Sequence, residues 1–367
     1  MAAESDSERG LGAIGWRADT LQPADAPADW RPARVVAQHR SGYVLNDGVA
    51  HADRDDFTAQ PAPRFLRRGA DPTLRPAVGD FVLIDRATPA VIHDVLPRRT
   101  TLSRAAAGER YARQIIATNI DTVFVLMGLD GDFNPRRIER YLLLIQGSGA
   151  RPVIVLTKAD KVEEAALYTS LDALRAQLPA DIDIRAVNAK DAASIEPLLR
   201  YLKHGDTAVL VGSSGAGKST LTNTLLGRER QATSTVREHD SRGRHTTTHR
   251  SLIALPSGGC LIDTPGMREL KLTGEEDLAA ASFADIEALA LQCRFGDCTH
   301  GNEPGCVVRT ALESGILDPA RWDSFRKLRG ELAAASDSLE AQLDRKAQAR
   351  VANKALGKRL IDKYGRR

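Results

Sequence analysis

Residues 209–227 read VLVGSSGAGKSTLTNTLLG, in which a glycine-rich turn separates an apolar run from a segment that favours helix. Gly212, Gly217, Lys218 and Ser219 match the G-x-x-x-x-G-K-S/T phosphate-binding loop, or P-loop. The glycines let successive backbone N–H groups point at phosphate, and the positive end of the following helix adds to their field. A turn that binds nothing is the alternative, but it does not explain why both flanks also fit. The stretch therefore predicts a strand, a nucleotide-binding loop and a helix.

The P-loop motif assigns separate tasks to its side chains. Lys218 would reach the β- and γ-phosphates and is the first candidate catalytic residue, whereas Ser219 would hold Mg²⁺. The predicted contacts to the nucleotide phosphates are Gly212, Ser213, Ser214, Gly215, Ala216, Gly217, Lys218, Ser219 and Thr220. A P-loop alone does not separate ATP from GTP, so the choice of base must be read elsewhere in the chain.

A motif upstream of the P-loop points to guanine. The apolar run RPVIVLTKAD at 151–160 ends in Thr157, Lys158 and Asp160, which resembles the N/T-K-x-D motif of regulatory GTPases. A carboxylate at Asp160 can accept from both the N1–H and the N2 amine of guanine, whereas adenine offers neither donor. The stem of Lys158 would lie along the base plane. Thr157 replaces the commoner Asn and loses an amide that could brace the loop.

A second short motif supports the same base. The strand pattern DIDIRAV ends in Asn188, Ala189 and Lys190, which resembles the S-A-K element whose backbone N–H meets guanine O6. Either motif alone is short enough to be an ordinary loop. Their order and spacing ahead of a P-loop favour guanine recognition over chance.

Downstream of the P-loop, the apolar run GGCLIDTPGMREL carries a D-x-x-G pattern. Asp263 would reach Mg²⁺ through water, and the N–H of Gly266 would sense the γ-phosphate. Met267 stands where many switch GTPases have a Gln that orients the attacking water. The chain must therefore orient that water by other means.

The polar segment TVREHDSRGRHTTTHR at 235–250 shows neither helical nor strand periodicity and is a candidate switch I. One of three consecutive threonines, assigned here as Thr247, would complete the Mg²⁺ shell. His245 directly precedes them and is the second candidate catalytic residue, as a group that orients water. A Thr-rich solvated loop and a solvated histidine are the alternatives.

Three of the four cysteines lie close together in the sequence. Cys293, Cys298, His300 and Cys306 form a C-x4-C-x-H-x5-C cluster interrupted by Gly and Pro. Three thiolates and an imidazole can surround one Zn²⁺ tetrahedrally, and such a closed shell is structural rather than catalytic. Buried cysteines without metal are the alternative, and disulfides are disfavoured in a cytosolic chain. The fourth, Cys260, falls in a strand pattern and is expected in the core.

The order T-K-x-D, N-A-K, P-loop, switch I and D-x-x-G indicates that the two halves of a GTPase domain are exchanged along the chain, which compact domains tolerate because their ends are often close. The sequence resembles the circularly permuted GTPases of small-ribosomal-subunit biogenesis, the ribosome small subunit-dependent GTPase A (RsgA) family. The matching pieces are GRHTTT, DTPG, the cysteine cluster and the stretch LSRAAAGERYARQIIATNIDTVFVLMGLDGDFNPRRIERYL. The resemblance spans about residues 33–330. Thr157, Asn188 and the long polar beginning depart from the pattern.

The chain divides into five segments. Residues 33–100 alternate short apolar pieces with Gly, Asp and Pro turns, which predicts a small all-β unit, and the resemblance implies an oligonucleotide-binding (OB) β-barrel. The aromatic residues Tyr43, Phe57, Phe65 and Phe81 would either stack bases or belong to its core. The predicted segments are a flexible N-terminal arm (1–32), the barrel (33–100), a circularly permuted P-loop α/β GTPase domain (101–285), a zinc-binding helical domain (286–330) and a basic helical tail (331–367).

Composition bounds the class of protein without deciding it. The chain has 367 residues, of which 42% are hydrophobic and 27% charged, and it has no apolar run of membrane-spanning length. The start MAAESDSERG shows no secretory signal, so a cytoplasmic monomer without membrane contact is expected. The net charge of +3 is small, but nine Lys and Arg residues from 345 onward face only Asp362. That tail suits RNA phosphates or is simply a solvated helix.

These features predict Mg²⁺-dependent hydrolysis of GTP to GDP and phosphate. By the resemblance, the nucleotide state would control binding to the small (30S) ribosomal subunit and its 16S rRNA, with slow turnover alone and faster turnover on the subunit. One rival is an ATPase or small-molecule kinase, for which both guanine motifs would be coincidences. Another is an RNA-binding module with a vestigial nucleotide site.

Overall fold

The structure is a computed structural model, and it describes residues 6–17, 20, 23, 26–39, 41–49, 56–67, 71–105, 113–131, 133–227, 250–264, 272–273, 276, 283–337 and 341. Within these residues the chain forms a five-stranded β-barrel, an α/β domain built on a mainly parallel sheet, and a group of C-terminal helices. No helix of the described part is long and apolar enough to cross a membrane.

The barrel consists of β1 to β5 and closes on itself. Its strands are Arg31–His39, Gly42–Asn46, Asp56–Pro61, Phe81–Ile84 and Ala90–Val95, with a short helix α2 at Pro63–Leu66. Strand β1 pairs with both β2 and β4, β2 pairs with β3, and β5 bridges β3 to β4. Closure leaves no free edge among the five strands. A β-barrel was expected here from the family resemblance and is confirmed, and its OB class stays a prediction.

The aromatic side chains of the barrel serve its core rather than its surface. Tyr43, Phe65 and Phe81 are buried. Phe57 is half-buried against the cluster of Tyr43 and Phe65, with the Arg31 guanidinium over its ring. Buried rings cannot stack with bases, and the Phe57 ring is already covered in part. Of the two interpretations left open by the sequence, the core one is correct for these residues.

The α/β domain contains six strands of one sheet. These are β8 (Thr122–Gly128), β9 (Arg151–Thr157), β10 (Asp183–Ala186), β11 (Thr207–Gly212), β12 (Ser251–Ala254) and β13 (Cys260–Asp263), in the order β10-β9-β8-β11-β13-β12. The first five run parallel, and β12 is antiparallel to β13. Every residue of β8 and β11 is buried, as expected where helices cover both faces of a parallel sheet.

The remaining elements frame this sheet. Its helices are α3 (Pro135–Gln146), α4 (Glu164–Arg175), α5 (Ala192–Ile195) and α6 (Lys218–Leu226). A separate hairpin joins β6 (Thr101–Ala105) to β7 (Arg113–Thr118). Strand β1 of the barrel meets β12 at Ala37 and Ser251, so the barrel and the α/β sheet form one continuous hydrogen-bonded sheet.

The C-terminal helices pack on the α/β domain through both apolar and charged contacts. They are α7 (Ala284–Ala290), α8 (Val307–Glu313) and α9 (319–337), so the predicted boundary at 285 falls inside α7. Phe283 and Phe325 share one buried cluster with Val123 of β8. Arg321 on α9 donates to the fully buried Glu139 of α3 at 2.9 Å. The basic tail from residue 345 onward lies outside the described residues.

The N-terminal segment differs from the flexible arm that its composition predicts. Residues Asp6–Ala13 form helix α1, and Leu11 and Ile14 are buried. Trp16 packs edge-on against Phe81, and Arg17 pairs with Asp121 at 2.6 Å. The described part is thus helical and packed, through apolar residues that are too sparse in the sequence to give a period, and the flexible arm stays a prediction for residues 1–32 as a whole.

The contact between the barrel, the α/β domain and the N-terminal segment is organised around Arg34. This side chain is fully buried and donates to the carbonyl oxygens of Ile14, Gly79 and Asn119 and to the Thr207 hydroxyl at 2.9 Å. Its guanidinium also lies over the Phe81 ring. Burial lowers the pKa of Arg34 to about 10, so the group stays charged at neutral pH.

Replacing Arg34 should therefore destabilise the whole chain. We expect Arg34→Met to lower the free energy of unfolding by about 3 kcal/mol, because four buried acceptors lose a charged donor. Urea denaturation followed by circular dichroism measures this change. The matched control is Arg175→Gln, which removes an exposed pair with Asp172 at 3.7 Å and should cost less than about 0.5 kcal/mol. Equal, small effects of both variants would contradict the role of Arg34.

Candidate nucleotide site and metal centre

Four predicted motifs lie along one edge of the parallel sheet. T-K-x-D follows β9, N-A-K follows β10 and the P-loop follows β11, while Asp263 and Thr264, the described part of the D-x-x-G pattern, lie at the end of β13. Because these strands are parallel, their carboxyl ends meet at the same edge, which is where open α/β sheets bind ligands. Motifs from both ends of the domain sequence are thus brought together by strand order.

The P-loop has the backbone that its glycines predict. Gly212 has φ of 150°, and a Cβ there would lie 2.4 Å from the Leu126 carbonyl oxygen of β8, so no side chain fits. Helix α6 begins at Lys218, whose ammonium donates to the carbonyl oxygens of Gly212 at 2.7 Å and Ser213 at 2.6 Å. The loop therefore curls around its own lysine, in the place where phosphates bind to such loops.

The T-K-x-D loop contacts the P-loop directly. Thr157 is fully buried, and its hydroxyl donates to the Ala216 carbonyl at 2.8 Å. The residue that departs from the commoner Asn thus keeps a brace to the phosphate loop. Lys158 has left-handed φ of 61°, and its ammonium pairs with Asp130 just after β8. Asp160, in a short 3-10 turn, is exposed and accessible to a ligand.

The sequence reasoning missed Asp130. The available signal was its position directly after the buried run of β8, at the carboxyl edge of the sheet. A carboxylate there neutralises Lys158 and fixes its side chain over this edge.

The N-A-K turn is fixed by its own hydrogen bonds. The Asn188 N–H donates to the Ser194 hydroxyl at 2.8 Å, and its side-chain oxygen accepts from the Lys190 N–H at 3.1 Å. Ala189 is buried at the base of the turn, and Lys190 is exposed. The Asn in place of Ser thus closes the turn through its side chain.

The predicted magnesium ligands are only partly described. Asp263 ends β13 with 4% exposure, next to β11, and Ser219 lies in the first turn of α6. Thr264 links the two strands, because its hydroxyl donates to the Leu210 carbonyl at 2.8 Å. The donor set of a hydroxyl and a carboxylate suits Mg²⁺. His245, Thr247, Gly266 and Met267 lie outside the described residues.

The four predicted zinc ligands converge. The ligand atoms of Cys293, Cys298, His300 and Cys306 all lie within 4.8 Å of one another. The His300 Nδ1 is 3.6 Å from the sulfur atoms of both Cys293 and Cys306. Burial lowers the pKa of His300, so its imidazole is neutral at neutral pH, as a metal ligand requires. Three thiols and one imidazole at this spacing are compatible with one Zn²⁺.

Residues outside the ligand set hold this loop in shape. The ring of Trp322 on α9 packs edge-on against His300. Glu303 accepts from the backbone N–H groups of Thr299 at 2.9 Å and Gly301 at 2.8 Å. The hydrogen bond from the Thr299 hydroxyl, with these backbone groups, lowers the pKa of Glu303 to about 2. The sequence reasoning missed Glu303, whose place between two ligands was the available signal.

Comparison with known proteins gives one consistent result. The RsgA GTPase family model matches residues 95–273. Among similar proteins, the Small ribosomal subunit biogenesis GTPase RsgA of Xanthomonas oryzae pv. oryzae (strain MAFF 311018) is 57% identical over 92% of this chain and 90% of its own length. The protein of the same name from Xanthomonas campestris pv. campestris (strain B100) is 53% identical over 100% of both chains.

Two solved structures share the fold. YjeQ from Thermotoga maritima superposes with a TM-score of 0.58 at 26% identity, covering 83% of this chain and 99% of its own. YloQ, described as a circularly permuted GTPase, gives a TM-score of 0.56 at 21% identity, covering 86% and 98% of the two chains. Motif order, strand order and relatives agree: the chain is a circularly permuted GTPase and belongs to the RsgA GTPase family.

Proposed function

We propose that this protein is a Mg²⁺-dependent GTP hydrolase of late small-subunit maturation, and that its nucleotide state controls its attachment to the small ribosomal subunit and 16S rRNA. The observation that carries the guanine assignment is the edge of the sheet, where T-K-x-D and N-A-K lie on one side of the P-loop and the Thr157 hydroxyl bonds to the Ala216 carbonyl of that loop. The ribosomal assignment rests on the names of relatives that match 90% or more of their own length.

Guanine would be read from two sides. The exposed Asp160 would accept from N1–H and the N2 amine, and the N-A-K turn would donate a backbone N–H to O6. Lys158, fixed by Asp130, would place its stem along the base plane. Adenine, a 6-amino purine, could form neither set of hydrogen bonds, because it lacks the N1 donor for Asp160 and the O6 acceptor for the N-A-K turn.

Phosphates would occupy the P-loop between Gly212 and Thr220. Lys218 would exchange its bonds to the Gly212 and Ser213 carbonyls for bonds to the β- and γ-phosphates. The backbone N–H groups of the loop would donate to the negatively charged phosphate oxygens. Ser219, Thr247 and Asp263 would hold Mg²⁺, which neutralises charge on the phosphates when bound. In the transfer step, water attacks the γ-phosphorus, and the bond to the β-phosphate oxygen breaks to leave GDP and phosphate.

The order of these segments also suggests how the bound nucleotide, GTP or GDP, could control binding to RNA. The D-x-x-G pattern is followed closely in sequence by the zinc module, defined here as residues 286–330, which packs on the GTPase domain through Arg321 and Glu139. When the γ-phosphate is lost, the Gly266 N–H would lose its contact with that group, and the zinc module could change its position. The basic tail would add contacts to RNA phosphates. We place the protein in the cytoplasm, where it would act as a monomer.

The test of this function is GTP turnover with and without purified small subunits. We expect slow turnover alone, because Met267 cannot orient water, and stimulation of at least about tenfold by the subunit. If His245 orients the water, His245→Ala should lose the stimulated rate and keep GTP binding. An unchanged parent rate with subunits would contradict the proposed function, and stimulation that survives in His245→Ala would exclude His245 alone.

Base choice depends on Asp160. We expect Asp160→Asn to weaken GTP binding on the order of 100-fold, because two hydrogen bonds to a carboxylate are lost. The affinity for xanthosine triphosphate should rise relative to that for GTP, since its C2 oxygen can accept a hydrogen bond from the new amide. Isothermal titration with both nucleotides measures the exchange. Asp172→Asn, at an exposed carboxylate on α4, is the control and should bind GTP like the parent.

The cysteine cluster should hold one structural zinc per chain. Elemental analysis of protein purified without chelators should find about one Zn²⁺, and Cys298→Ser should lose it together with several kcal/mol of unfolding free energy, because zinc binding contributes directly to folding. Cys260→Ala is the matched control: Cys260 is buried in β13, outside the cluster, so zinc content should not change. Metal-free parent protein of undiminished stability would refute the assignment.

A further inference from the structure

The phosphate-binding helix is tied to the N-A-K turn by a residue outside every motif. Thr224 lies on α6, about one and two-thirds turns beyond Lys218. Its hydroxyl is 2.6 Å from the Ala189 carbonyl oxygen and 3.0 Å from the Thr220 carbonyl oxygen of its own helix. The hydroxyl has one proton, and the shorter contact assigns it to Ala189.

This bond differs in kind from the others around the turn. The bonds of Asn188 and Lys190 stay within residues 188–194, so they shape the turn but do not place it relative to the phosphates. Thr224 instead connects the turn to α6, whose first residues are the predicted phosphate and magnesium contacts. Base-reading and phosphate-binding parts are therefore held at a fixed separation.

The backbone of Ala189 is poised to donate. Among the residues that the structure describes, none accepts a hydrogen bond from the Ala189 N–H, while the carbonyl of the same residue is held by Thr224. Ala189 is 6% exposed, so the turn has little freedom to reorient within its packing. The Ala189 N–H belongs to the same peptide group as the Asn188 carbonyl, which accepts from the Asp191 N–H at 3.0 Å. The turn itself therefore sets the direction of the Ala189 N–H, and Thr224, through the next peptide group, sets the position of the turn relative to α6.

We propose that Thr224 is a positioning residue for guanine: by holding the Ala189 carbonyl, it places the N-A-K turn so that the Ala189 N–H reaches O6 of the base. This inference rests on the proposed guanine site. The energy of an N–H···O hydrogen bond falls steeply as its angle departs from linear, so a turn free to rotate would discriminate less well. Thr224 thus contributes to the choice of base without touching the nucleotide.

The test compares nucleotides that differ at position 6 of the base. Thr224→Val removes the hydroxyl and keeps the shape of the side chain. In the full chain with Mg²⁺, we expect it to weaken GTP about tenfold, and inosine triphosphate, which keeps O6, by the same factor. The 6-thio analogue of GTP presents sulfur, a weak acceptor, and should lose less than about twofold. Titration calorimetry gives all three affinities.

Two further variants separate positioning from helix stability. Thr222→Val removes a hydroxyl that bonds only within α6 among the described residues, to the Lys218 carbonyl at 3.0 Å, and should leave the ratio of GTP to 6-thio-GTP affinity unchanged. Thr224→Ser restores the donor and should restore that ratio. Thermal unfolding confirms that each variant is folded.

Equal losses for all three nucleotides in Thr224→Val, or no loss for any, would overturn the role of Thr224. Failure of the guanine site itself has a different signature. In that case the parent protein would bind ATP as well as GTP, before any substitution at Thr224.

Discussion

The parallel pairing of β9, β10, β11 and β13 around β8 is the constraint on which the site depends. Each motif is a short loop that means little alone, and each follows the carboxyl end of a strand. Parallel alignment places those ends at one edge of the sheet, whatever the order in which the chain connects the strands. A permuted chain can therefore build the same site as an unpermuted one, provided that strand order and direction are kept.

Hydroxyl groups then adjust the loops to one another across this edge. Thr157 joins the T-K-x-D loop to the P-loop, Thr224 joins α6 to the N-A-K turn, and Thr264 joins β13 to β11. Each bond links segments that are distant in sequence, and each donor is a small β-branched residue with few rotamers. These three bonds connect the loops of the proposed site to one another, so that the phosphates and the base would bind to one connected set of loops.

Outside the site, buried charges join the parts of the molecule. Arg34 ties the N-terminal segment and the barrel to β11, and Glu139 with Arg321 ties the C-terminal helices to α3. Buried ionic groups tolerate little displacement, because a broken contact leaves a desolvated charge without compensation. Both linkages thus favour a defined contact of the barrel and of the C-terminal helices with the α/β domain in the state described here.

The sequence by itself indicated the chemistry: the P-loop, the two short motifs ahead of it and the cysteine cluster follow from residue types at short spacing, because each is a local pattern with one main use. The alternation of short apolar pieces predicted an all-β unit, and the family resemblance implied the barrel. The structure alone decided what depends on distant contacts. Leu11 of helix α1 and the adjacent Ile14 are buried, three aromatic residues of the barrel are buried, and Asp130, Glu303 and Thr224 acquire partners through folding. No repeating pattern in the sequence marks such residues, because each role needs only one side chain and one distant carbonyl or charge.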